Sequence, residues 1–282
     1  MLKIKISSDT TCDLSPELRA RYDVDTVPLY IVKDGKEYKD TIEIGPEDIY
    51  AYARETGKNC STAAVSVADY EELFRKELET ADAIIHTHIS SDMSACYQNA
   101  CIAAREFENV FPIDTRSLST GIGYLVVEAA LLAESGVPAA EIAERINAMR
   151  DKLDVTFVID TLTYLHRGGR CSAVAALGAN LLSLKPCIEV RGGKMGVGKK
   201  YRGKVEKCIM QYVREKLEGQ TDIDTRRLFI THSGGFEPGF LDEVKAEAGK
   251  YQHFDEVLTT VAGSTISSHC GPKTLGIIFA RK

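Results

Sequence analysis

The stretch Ala83-Ile-Ile-His-Thr-His-Ile-Ser-Ser-Asp-Met-Ser-Ala-Cys-Tyr-Gln98 decides the class of fold. Ala83 to His88 is a short run rich in apolar and β-branched residues and reads as a buried strand. Ser90-Ser91-Asp92 supplies a polar loop. From about Met93 to Phe107, residues Tyr97, Ala100, Cys101, Ala104 and Phe107 recur at helical spacing. The same unit of strand, loop and helix repeats on both sides. Downstream, Val110 to Ile113 is a strand and Thr120 to Ser135 a helix. Upstream, Leu2 to Ile6 alternates with period two, and Ser15-Pro16 starts a short helix with a hydroxyl N-cap and proline at the first helical position. Val24 to Val32 reads as a second strand, Pro46 opens another helix, and Ala68 to Leu78 forms a further one. This repetition predicts a parallel sheet covered by helices, with polar residues along its carboxyl edge, the usual ligand side.

The second half follows a different pattern. Lys185 to Val190 and Lys194 to Val197 flank Arg191-Gly192-Gly193 and read as a hairpin. Val155 to Ile159, Leu228 to His232, Phe254 to Val261 and Thr274 to Ala280 are further strands. Helices are expected near Val174 to Ser183, Lys204 to Leu217 and Phe240 to Gly249. The expected organisation is α/β in two domains. An N-terminal domain over 1–150 carries a mainly parallel sheet, and a C-terminal domain over 151–282 carries a mixed or antiparallel one.

Composition narrows the function. The chain has 282 residues, 44% apolar and 27% charged, as ordinary globular proteins do. With 35 Lys plus Arg against 41 Asp plus Glu, the formal charge is −6, which argues against a nonspecific nucleic-acid binder. No apolar run approaches the ~20 residues that a membrane-spanning helix needs, and Met1 to Thr11 lacks the layout of a signal peptide. The eight cysteines are scattered without a Cys-x-x-Cys pair, so they read as buried thiols in a reducing compartment, and a cytoplasmic location is expected.

The motifs exclude more than they assign. Gly193 to Lys199 has phosphate-loop spacing, but Lys200 stands where the magnesium-holding hydroxyl belongs, and no helix follows. The segment reads as a hairpin end with basic residues. Gly121-Ile-Gly123 lacks the third glycine of a dinucleotide fingerprint and reads as close helix–strand packing. No Gly-x-Ser-x-Gly elbow occurs. His86 and His88 are half of a metal site with no matching second pair, so they read as satisfied histidines in a sheet and no metal is expected. What remains is a set of hydroxyl-rich and glycine-rich loops: Ser61-Thr62, Ser90 to Ser94, and Arg167 to Ser172. Helix capping alone does not explain so many hydroxyls and two arginines at element ends; a carboxylate or phosphate site would use them.

Across nearly its whole length the chain resembles the DegV family of bacterial fatty-acid-binding proteins. The resemblance is carried by Ser8-Asp9-Thr10-Thr11-Cys12-Asp13-Leu14, by Ile89 to Gln98, and by Ile113-Asp114-Thr115 with Ser119 and Gly121. In the second half its carriers are Asp160 to Arg170, Lys185-Pro186, Tyr201-Arg202-Gly203, and His269-Cys270-Gly271-Pro272. It implies a fatty acid held in an apolar tunnel between the two domains. The family's carboxyl-binding threonine matches Thr62 and its carboxyl-binding serine matches Ser94. The histidine of its His-x-Gly-Pro motif matches His269. Arg170 and Arg202 match arginines near the site mouth or a partner contact. This chain departs from the family at Ala63-Ala64-Val65, at Asp92 and Ala95, and at Lys273-Thr274.

The resemblance further implies a carrier and not an enzyme, with bound fatty acid and no cofactor. Its partners would be a long-chain fatty acid, a separate ATP-dependent kinase that phosphorylates the carboxylate to an acyl phosphate, and transiently a membrane surface. Two rival readings are a small-molecule hydrolase using Ser94 with His269, and a lipid-dependent sensor or interaction protein.

Overall fold

The computed structural model describes residues 2–172 and 184–282. The first half runs β1 (Ile4–Asp9), α1 (Pro16–Arg21), β2 (Val24–Val27), β3 (Tyr30–Lys33), β4 (Lys36–Lys39), α2 (Pro46–Thr56), β5 (Ser61–Ala63) and α3 (Val67–Glu77). It continues through β6 (Ala83–His88), α4 (Cys96–Ala103), β7 (Val110–Asp114), α5 (Thr120–Glu134) and α6 (Ala139–Met149). The second half begins with β8 (Leu153–Val158), α7 (Thr163–Gly168), β9 (Leu184–Arg191), β10 (Lys194–Arg202) and α8 (Val205–Leu217). It ends with β11 (Ile223–His232), α9 (Phe240–Gly249), β12 (Glu256–Val261), α10 (Ser264–Cys270) and β13 (Leu275–Arg281).

Two main sheets result. The first has strand order β2-β1-β6-β7 with every pairing parallel. All six residues of β6 are buried, as expected for a central strand covered on both faces. The chain leaves β1 towards β2 on one side and later fills β6 and β7 on the other. The carboxyl ends of β1 and β6 therefore flank a topological switch point, where open α/β sheets hold their ligands. The second sheet has order β10-β9-β8-β13-β11-β12 and is mixed, antiparallel except for the β11–β12 pair. One buried apolar cluster joins the two sheets, running from Ile85 and Leu125 to Phe157 and Phe229.

Local chemistry accounts for the elements. Ser15 caps α1 by accepting the Leu18 amide, with Pro16 at the first helical position. Ser66 and Asp69 form a capping box on α3. Gly192 and Gly193 have φ of 54° and 87°, the pair of positive values that a tight hairpin between β9 and β10 demands. A Cβ at Gly123 would come within 2.7 Å of the Cys12 carbonyl, so this glycine serves close packing of α5 and not a dinucleotide.

Three expectations need correction. The strand expected over Val24 to Val32 is two strands in different sheets. Pro28 cannot continue the ladder, so β2 ends before it and β3 joins β4 and β5 in a separate three-stranded sheet. The helix expected from Met93 starts only at Cys96. Ser90 and Ser94 hydroxyls accept the Asp92 and Cys96 amides, each at 3.3 Å, and so hold the preceding residues in turns. The strand expected over Lys194 to Val197 continues to Arg202 through an irregularity between Val197 and Lys200, so the phosphate-loop spacing lies within a strand. The helix expected over Val174 to Ser183 falls outside the described residues. Among the described residues, no helix is long and apolar enough to cross a membrane.

Candidate functional site

A cavity of about 250 Å³ lies where the loops after β6 and β7 meet β5, β10 and α10. Leu29, Ile89, Met93, Leu118, Met195 and Ile266 give it an apolar lining. Its polar groups are Thr62, Ser94, Arg170, Thr265 and His269. A smaller cavity of about 30 Å³ shares Leu118, Ile266 and Cys270 with it and continues between Val155, Phe157 and Ile278 of the six-stranded sheet. The shared residues set the two cavities side by side, each with mostly apolar walls.

Thr62 is placed by the pairing of β5 with β3, where it stands opposite Ile31. Its hydroxyl lies 3.0 Å from His269 Nε2 on α10. Burial, aided by the positive charge of Arg170, pushes the His269 imidazole down to about 4, so the ring is neutral near pH 7. A neutral ring that donates from Nε2 to Thr62 leaves the threonine proton free to point into the cavity. His269 Nδ1 is buried without a hydrogen-bond partner among the described residues. The ring packs so tightly on Gly168 that a Cβ there would collide with Nδ1.

Ser94 comes from the turn before α4, and its hydroxyl donates to Cys96 Sγ at 3.1 Å. Arg170 follows α7 and is exposed at the cavity rim. Its guanidinium donates to the Gly168 carbonyl at 2.9 Å and to the Met93 carbonyl at 3.4 Å, which ties the rim to the Ser94 loop. The fold thus gathers Thr62, Ser94, Arg170 and His269 from four separate segments. Arg202 is not gathered: it is the exposed last residue of β10 and lies outside the lining.

Sequence reasoning missed the groups that hold α10 in place. Asp13 Oδ1 accepts the Gly263 amide and Asp40 Oδ1 the Ser264 amide, both at 2.8 Å, at the N-terminus of the helix that carries His269. Ser119 donates to Asp13 at 2.5 Å and Thr10 to Asp40 at 3.0 Å. Burial pushes Asp13 up to about 8 and raises Asp40 as well. Asp13, Ser119 and Thr10 all stand in quoted motifs, but only the fold reveals what they bind. His86 and His88 are buried, and Nε2 of each lacks a partner, so the expectation of satisfied histidines fails at those atoms.

The family model described as "Uncharacterised protein, DegV family" matches residues 3–282. A DegV domain-containing protein of Caldanaerobacter subterraneus is 32% identical over 286 residues, covering all of both chains. Among solved structures, a DegV family protein from Thermus thermophilus, reported for its fatty acid binding, superposes with a TM-score of 0.89 at 31% identity, covering 100% of both chains. A Thermotoga maritima protein whose structure "reveals fatty acid binding function" reaches 0.86 at 26% identity, again covering 100% of both. With the family model, the relative and the folds all matched end to end, this chain belongs to the DegV family.

Proposed function

We propose that the chain binds a long-chain fatty acid, with the carboxyl group at Thr62, Ser94 and His269 and the alkyl chain along the apolar walls of the two cavities. The observation that supports this reading is that the hydrogen-bonded Thr62–His269 pair and Ser94 line one cavity whose walls are mostly apolar. Each buried methylene contributes about 0.8 kcal/mol, which over a long chain outweighs desolvating one hydrogen-bonded carboxyl group. The Thr62 hydroxyl, and that of Ser94 once it turns from Cys96 Sγ to the ligand, favour the anion as donors, and Arg170 is the cationic side chain among the described lining residues. The fatty acid binding reported for similarly folded DegV proteins supports a fatty acid as the ligand.

The carboxylate lies next to the exposed Arg170, so a partner could reach it without the lipid leaving. In this reading the chain is a carrier. A separate ATP-dependent kinase supplies nucleotide and magnesium, and a carboxylate oxygen attacks the γ-phosphorus to give acyl phosphate and ADP. The hydrolase reading needs His269 as base on Ser94. Here His269 Nε2 faces Thr62, and the Ser94 hydroxyl faces Cys96, so no contact favours it.

The test is a fatty-acid titration of the delipidated chain and of the Thr62→Ala/Ser94→Ala double variant. The expected result is a loss of affinity of roughly a hundredfold or more, since each hydrogen bond to a charged group is worth about 1.5–3 kcal/mol, with an unchanged circular dichroism spectrum. Equal affinity in the folded variant would reject the carboxyl assignment.

A further inference from the structure

At the centre of the parallel sheet, β1 pairs with β6 so that Ser7 stands beside His86 and Ser8 beside Thr87. Strand alternation puts Ser7, Asp9, His86 and His88 on one face. Asp9, His86 and His88 are all fully buried there, at 0% exposure. Asp9 Oδ1 lies 3.5 Å from His88 Nδ1 and 3.9 Å from His86 Nε2. One ligand atom from each residue can be chosen so that all three lie within 4.8 Å of one another.

These atoms are poorly served by the protein. Asp9 Oδ2 accepts the Ile89 amide at 3.0 Å, but among the described residues Asp9 Oδ1 has no hydrogen-bond partner, and neither does His86 Nε2. A neutral imidazole has one nitrogen lone pair to give, and each ring turns a nitrogen toward Asp9. Ser7 Oγ sits 2.7 Å from His86 Nδ1. If it accepts the Nδ1 proton, the lone pair is at Nε2, facing Asp9. That is the outer-shell hydrogen bond that metal-bound histidines ordinarily make. A buried carboxylate facing imidazole lone pairs is costly without a cation between them.

We propose that Asp9, His86 and His88 form a buried site for a divalent transition metal of the zinc type. Bonds of about 2.0–2.1 Å in a tetrahedral site place neighbouring ligand atoms about 3.3–3.4 Å apart, so the two Asp9 separations of 3.5 and 3.9 Å contract by up to about half an ångström and the histidines draw together from within 4.8 Å as the ion binds. The Tyr70 hydroxyl, 3.4 Å from His88 Nδ1, is placed to complete the shell. Tyr70 and Phe74 pack edge-to-face on His86, with ring centroids 5.3 and 5.4 Å from its own, and close the site. The enclosure makes the site structural: the ion would tie β1 to β6 and brace Ile89, where the Ser94 loop begins. This assignment does not depend on lipid binding.

The test uses the full chain, unfolded with chelator, refolded with and without zinc chloride, and dialysed. Elemental analysis should give one zinc per chain, and thermal unfolding should shift upward in the zinc-refolded sample. Cobalt(II) in place of zinc should give the intense visible absorption of a tetrahedral centre. The His86→Val/His88→Val variant, apolar and β-branched on a buried strand, should retain no zinc. Refolding that leaves no bound zinc and an unchanged unfolding midpoint would overturn the proposal. So would stoichiometric zinc in the double variant, which would point to exposed histidines such as His253.

Discussion

Gly168 shows how a single residue shapes the surroundings of His269 in the cavity wall. Its missing side chain lets the His269 ring lie against the end of α7, which sets the ring's approach to Thr62. Gly168→Ala should therefore displace His269 and weaken fatty-acid binding several-fold in a direct titration, while the unfolding midpoint moves little because α7 is short and half-exposed. Affinity equal to the parent's would show that His269 does not need this position. Thr62, Ser94 and His269 were legible because hydroxyls and a histidine stand in recognisable motifs. Leu29, Met195 and Thr265 were not, since nothing local marks an apolar or hydroxyl residue as cavity lining. Asp9 was equally hidden as a possible ligand, because its meeting with His86 and His88 depends on the parallel register of β1 and β6.

At the scale of elements, α10 is the critical piece. Its sequence, Ser264-Thr-Ile-Ser-Ser-His-Cys270, is rich in hydroxyl and β-branched residues and carries little helical signal. It forms because Asp13 and Asp40 accept its first amides and the neighbouring elements bury it. The small sheet β4-β3-β5 was missed for a different reason. Pro28 hid the break between β2 and β3, although Asp34-Gly35, with φ of 50° and 75°, is a readable hairpin turn. The long periodic strands and helices of the parallel sheet were legible because their burial pattern is continuous in sequence.

The anchoring of α10 has a pH signature. Asp13 is pushed up to about 8 in the fold, above the ordinary carboxyl value, so the folded state holds its proton more tightly than the unfolded chain. Its contribution to stability is full at low pH and is lost as the pH rises from about 4 to about 8. Asp13→Asn keeps an oxygen for the Gly263 amide and removes the titration. Urea unfolding should show a smaller decline in stability over that range in the variant than in the parent. Identical slopes would show that Asp13 does not titrate in this window.

For the whole molecule, the two sheets and the cavity between their edges form one unit. One apolar cluster runs through both sheets, and the cavity draws its lining from both halves of the chain. A ligand that binds only this folded arrangement stabilises it by mass action, by about 2.7 kcal/mol at a hundredfold excess over Kd. The delipidated chain should therefore unfold at a lower temperature than the chain refilled with fatty acid, and calorimetry on the two forms checks this. Equal midpoints at saturating fatty acid would mean that the lipid does not select the folded state. Overall class and sheet types were legible from the change of pattern near Asp151. The convergence of four distant segments on one cavity was not, because it depends on the packing between the sheets.

Native mass spectrometry of the purified chain, followed by extraction and identification of what is released, tests the central claim most directly. The account predicts a mass excess that is released as one or a few long-chain fatty acids, and that returns when the delipidated chain is given fatty acid. A bare-chain mass that stays unchanged after fatty acid is added would contradict it.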